Sequence, residues 1–72
     1  MTLAEFLRYL KSQDCDYSPL EGINISGNAI KITCKRTNRR HILTLYHGAD
    51  PTDETIKSVC DDLLISYPKH LL

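Results

Sequence analysis

The chain lacks any net charge: nine Lys and Arg residues offset nine Asp and Glu. That balance excludes indiscriminate polyanion binding, which runs on a global excess of positive charge. It also lacks a long hydrophobic run. No stretch approaches the ~18 apolar residues that cross a bilayer, so no membrane partner is expected. The opening segment MTLAEFLRYLKSQ is charged throughout and has no basic start, apolar stretch or small-residue cleavage site, so it does not read as a signal peptide. Paired or closely spaced cysteines are missing too. Cys15, Cys34 and Cys60 form an odd, widely separated set. They provide neither a disulfide framework nor a C-x-x-C metal knuckle, and a reducing cytoplasm is the expected location. There are no repeats, no low-complexity tract and no linker.

What is present is a globular composition, 42% hydrophobic and 25% charged, in 72 residues that make one domain over 1–72. A chain this short buries only roughly 60% of its unfolded surface, so nearly every apolar residue is needed in the core.

Thr2 followed by Glu5 has the spacing of a capping box, and Leu3, Phe6, Leu7 and Leu10 repeat at i, i+3, i+4 and i+7. A helix is predicted from there to about Gln13. Residues 14–22, with Pro19 and Gly22, read as a loop. The apolar period then switches to two. Ile23 and Ile25 alternate in one run, and Ile30, Ile32 and Cys34 in another, with Gly27-Asn28 between them. A two-residue turn at Gly27-Asn28 places Ile25 opposite Ile30 and Ile23 opposite Ile32, all four on one face. A third strand over 40–46, joined through a loop at 36–39, sets Lys35 opposite Arg40, Cys34 opposite His41 and Ile32 opposite Leu43. Asp50-Pro51 announces a second helix, with Asp as cap and Pro in the first turn. Ile56, Val59, Cys60, Leu63 and Leu64 form its apolar stripe, and Pro68 stops it. The expected architecture is α+β, in the order α-β-β-β-α, a three-stranded antiparallel sheet with two helices on one face.

In that order of elements the segment RRHILTLYHGADPTDETIKSVCDDLLI is similar to the HicA toxin family. The matching features are the opening helix at 3–10, Gly27, the strand and loop over 43–48, Thr55 and Ile65. The resemblance implies a fold like that of double-stranded-RNA-binding domains, ribonuclease activity on mRNA, and neutralisation by an antitoxin partner. The family's catalytic histidine directly follows a Gly-Ser pair. Here the corresponding stretch is Gly27-Asn28-Ala29, so that catalytic assignment does not carry over. What the resemblance leaves is a non-catalytic RNA-binding or protein-binding role. A ribonuclease with a relocated histidine, His47 being the weak candidate, stands third.

Five of the nine basic residues fall between Lys31 and Arg40. Lys31, Lys35 and Arg40 are expected on the uncovered sheet face, with Arg36 and Arg39 in the turn beside them. Together with Tyr46 and His47 they form the candidate nucleic-acid-binding set, with Tyr46 stacking on a base. His47 precedes the second helix, whose backbone N–H groups can hold phosphate. Ile42 and Tyr46 are the candidate contacts for a protein partner, ringed by the cations. Cys34 and His41 as cross-strand neighbours raise the idea of a nucleophile and its base, weighed against an inert core thiol. Asp61 and Asp62 read as solvated. Three histidines on separate elements make no zinc site, and no cofactor is implied. A monomer or weak dimer is expected.

Overall fold

Thr2 opens the first helix as its spacing predicts. Its hydroxyl accepts the Glu5 N–H at 3.1 Å, and the Glu5 carboxylate accepts the Thr2 N–H at 2.8 Å. The computed structural model describes residues 1–20, 27–46 and 48–72. Its elements are α1 (Leu3–Ser12), β1 (Cys15–Pro19), β2 (Gly27–Cys34), β3 (Arg39–Tyr46) and α2 (Asp53–Leu63), followed by a 3₁₀ turn at Lys69–Leu71. The three strands form one antiparallel sheet in the order β1-β2-β3, giving the α-β-β-β-α arrangement. α1 packs against β1 and α2 against β3. Phe6 and Leu10 from α1 meet Ile30, Ile32, Cys34 and Leu43 from the sheet and Ile56, Val59, Cys60 and Leu63 from α2 in one core. Among the described residues no polar side chain is buried, and no helix is long and apolar enough to cross a membrane.

The first strand is not where the alternation of isoleucines puts it. Cys15–Pro19, expected as loop, pairs with the far half of β2, from Cys15 opposite Cys34 to Pro19 opposite Ile30. Ile23 and Ile25 lie outside the described residues. Gly27 and Asn28 are strand residues, opposite Tyr46 and Leu45, and make no tight turn. The reason is length: β3 runs eight residues to Tyr46 and needs β2 partners back to Gly27. Pro19 is tolerated because β1 is an edge strand. Hydrogen bonds from Lys35 N–H to the Asp14 carbonyl (3.1 Å) and from Leu20 N–H to the Ala29 carbonyl (2.9 Å) fix the alternation. They make Cys15–Cys34, Tyr17–Ile32 and Pro19–Ile30 the non-hydrogen-bonded pairs, where no N–H is required of the proline.

The β2–β3 turn occupies residues 35–38, one earlier than expected. Asn38 takes φ 57 there, a left-handed conformation that asparagine tolerates. The register therefore slips by two: Arg39 stands opposite Cys34, Arg40 opposite Thr33, His41 opposite Ile32 and Leu43 opposite Ile30. An even slip leaves every side chain on its expected face. It abolishes the expected Lys35–Arg40 and Cys34–His41 pairs.

α2 starts two residues later than Asp50-Pro51 implied. Thr52 is its cap, accepting the Thr55 N–H at 3.1 Å. Asp50 instead accepts the N–H of Leu3 at 2.9 Å, so it caps α1 from 47 residues away. At the other end Leu64 leaves the apolar stripe. It adopts φ 56 and is 62% exposed, while Ile65 turns into the core and its N–H bonds the Cys60 carbonyl at 3.0 Å. This is a Schellman-type stop without its usual glycine. His70 comes to 3.5 Å from Asp53 at the start of α2.

Candidate functional site

The two helices cover one side of the sheet and leave the other open. Strand alternation puts Asp16 and Ser18 of β1, Lys31 and Thr33 of β2, and Arg40, Ile42, Thr44 and Tyr46 of β3 on that open face. Across it run the rows Asp16–Thr33–Arg40 and Ser18–Lys31–Ile42. Two shallow depressions lie here. One, of about 380 Å³, is lined by Lys31, Thr33, Asn38, Arg39 and Arg40. The other, of about 590 Å³, is lined by Leu20, Lys31, Arg40, His41 and Ile42. Lys31 and Arg40 wall both. Ile42 is 58% and Tyr46 80% exposed, an unusual outlay of apolar surface for a chain this short.

The five cations of the 31–40 segment have different fates. Lys31 and Arg40 stand on the open face with no ion-pair partner among the described residues. Arg36 is exposed in the turn, likewise without one. Lys35 reaches back to β1, its ammonium 3.0 Å from Asp16. Lys11 of α1 binds the other oxygen of the same carboxylate at 2.9 Å and lies 5.2 Å over the Tyr17 ring. The bond from Lys11, then that from Lys35, hold the Asp16 carboxyl below its ordinary pKa, and Asp16 raises that of Lys11 in return. Arg39 turns toward α2 and donates from Nε to the Asp62 carbonyl at 3.1 Å, beside Thr37, whose hydroxyl donates to the Leu63 carbonyl at 2.6 Å. Both close the carbonyl end of α2, where positive charge is favoured. Arg39 also borders the smaller depression, but its guanidinium is held at α2, so Lys31 and Arg40 are the two cations of the segment that project from the open face.

His41 pairs with Asp62, Nδ1 to Oδ2 at 2.6 Å, and not with Cys34. The two-residue slip puts it opposite Ile32 and within reach of Asp62 on α2, which is engaged here rather than solvated as expected. Asp61 is engaged as well, accepting the Tyr67 hydroxyl at 2.7 Å, which raises the tyrosine's pKa. His47 lies outside the described residues. Among the described residues no three His, Cys, Asp or Glu side chains converge as metal ligands.

Sequence reasoning missed Asp16, which neutralises part of the basic cluster. The signal was the alternation Cys15-Asp16-Tyr17, in at Cys15 and out at Asp16, which the isoleucine pattern downstream outweighed. No family description, curated protein or solved structure matches the chain. The likeness to HicA toxins therefore rests on the sequence segment and on the order of elements.

Proposed function

We propose that the chain is a small, non-catalytic RNA-binding module that uses the open face of its sheet. The observation that carries this reading is the pair Lys31 and Arg40, which together wall both depressions of that face. It is supported by the exposed Tyr46 further along β3. Arg40 and Tyr46 are six residues apart on one strand, about 20 Å at ~3.4 Å per residue. A single strand can keep its phosphates at the cationic end and stack a base on the tyrosine. The three free thiols suit the reducing cytoplasm in which such a module would work. Two phosphate contacts on a single strand give a shallow salt dependence, a slope of about 1.4 in log K against log salt. The test is titration of a labelled single-stranded RNA at two salt concentrations. Wild type should bind at low salt, and Lys31→Ala/Arg40→Ala should lose most of that binding. Absence of binding at low salt, or an unaffected double variant, refutes the reading.

A protein partner of antitoxin type is the second reading, and the exposure of Ile42 and Tyr46 favours it. An apolar and aromatic anchor inside a basic rim fits an acidic surface. Ile42→Ser/Tyr46→Ser should then abolish partner capture, whereas RNA binding through phosphates survives Ile42→Ser. A ribonuclease with a relocated histidine would have to use His41 or His47. Full cleavage by His41→Ala/His47→Ala excludes both.

A further inference from the structure

Two thiols that the open face does not use meet inside the fold. Cys15 is the first residue of β1 and Cys34 the last of β2, and they are directly opposed. The flanking bonds described above make theirs a non-hydrogen-bonded pair, in which Cα atoms stand about 4.5 Å apart and side chains approach most closely. That separation lies within the range a disulfide spans. Both side chains turn to the core side, and both sulfurs reach the same acceptor, the Gln13 carbonyl, at 3.7 Å and 3.8 Å. Both are closed off from solvent, at 1% and 0% exposure. They nevertheless sit at the very end of the sheet, each one residue from an exposed neighbour, Asp14 and Lys35.

We propose that Cys15 and Cys34 form a reversible dithiol–disulfide pair that responds to peroxide, with Cys34 as the attacking thiol and Cys15 as the resolving one. Their surroundings divide the roles. Burial pushes the Cys34 thiol up, but the hydrogen-bonding surroundings supplied by Thr37, Cys15 and the Arg36 backbone outweigh it and bring the thiol below its ordinary pKa. Burial, and then the hydrogen bond to Cys34, push Cys15 up to about 12. A thiolate is the nucleophile in such chemistry, so Cys34 reacts first. Its sulfur attacks one peroxide oxygen. The O–O bond breaks, hydroxide leaves and takes up a proton as water, and Cys34 becomes a sulfenic acid. The Cys15 sulfur, giving up its proton, then attacks the Cys34 sulfur. The S–O bond breaks and the oxygen departs as a second water. The two thiols lose two electrons in total and peroxide gains them; an external thiol restores the reduced pair.

Cys60 is the internal control. It is equally buried, its thiol is pushed by burial up to about 11, and it lies on α2 away from any strand partner. The experiment treats the folded, reduced protein with hydrogen peroxide and maps disulfides by non-reducing peptide mass spectrometry. The expected product is a monomer with a Cys15–Cys34 bond, two hydrogens lighter, with Cys60 still alkylatable after unfolding. In Cys15→Ser the sulfenic acid should persist at Cys34 and be trapped by dimedone, with about tenfold more label there than at Cys60. The same oxidation in urea should lose the preference for this pair. A bond to Cys60, bonds only between molecules, three thiols that all stay alkylatable, or equal pairing in urea overturns the proposal. Mapping wild type keeps it falsifiable even where Cys15→Ser fails to fold.

Discussion

The two faces of this sheet obey different rules. On the covered face Ile30, Ile32 and Leu43 are interchangeable in role: each removes apolar surface from water, and none requires a particular partner. On the open face identity is everything. Lys31 and Arg40 stand there without an ion-pair partner among the described residues, whereas Lys35, from the turn, is bound to Asp16 and Arg39, from the covered side, to the end of α2, although all four come from one ten-residue run. Apolar patterning therefore survives a register error, whereas a charge pattern does not reveal which charges remain available.

The sharpest way to break the comparison is to make equal truncations on each side. Phe6→Ala, at a fully buried site, should cost roughly 3–5 kcal/mol. For a domain of this size that approaches the whole stability. Ile42→Ala on the open face should stay within about 0.5 kcal/mol, both read from urea denaturation. Comparable losses would mean that the open face is covered in solution.

The caps come next. Thr52→Ala should cost about 1 kcal/mol by freeing the Thr55 N–H. Asp50→Ala should weaken α1 and leave α2 intact. Hydrogen exchange decides between the helices, because protection lost at residues 54–56 in the Asp50 variant would return the cap of α2 to Asp50.

A gain of about 0.5–1 kcal/mol is expected from Leu64→Gly, which relieves the left-handed φ 56 of an exposed side chain. Thermal denaturation should show a higher Tm, and a lower one would mean that Leu64 packs more than its exposure implies.

The smallest effect concerns pH. The Asp16 carboxyl titrates lower in the folded chain than in the unfolded one, because of Lys11 and Lys35. Its contribution is thus present above the unfolded value near pH 3.9 and is lost as pH falls through the folded one. Asp16→Asn should flatten stability against pH below about pH 4, relative to wild type. An identical profile would show that the carboxylate is unpaired in solution.

Much of the fold was legible because it rests on local rules. The capping box at Thr2, the stripe through Ile56 and Leu63, and the in–out alternation of β2 and β3 each depend on residues a few positions apart. The first strand was not legible. Cys15–Pro19 is short, holds an aspartate and a proline, and gains its strand character only from a partner, β2, that begins eight residues later. Of the candidate site, the open-face placement of Lys31, Arg40, Ile42 and Tyr46 follows from alternation alone. The diversion of Lys35 and Arg39 does not, since Asp16 and the Asp62 carbonyl come from other elements. Nor does the role of Asp50, whose acceptor work is done 47 residues away.

That last contact has a practical corollary. Leu3 is held by Asp50, and His70 reaches Asp53, three residues further along. Two segments far apart in sequence thus lean on one short stretch, Asp50–Asp53, so a change there is expected to loosen α1 and the 3₁₀ turn together.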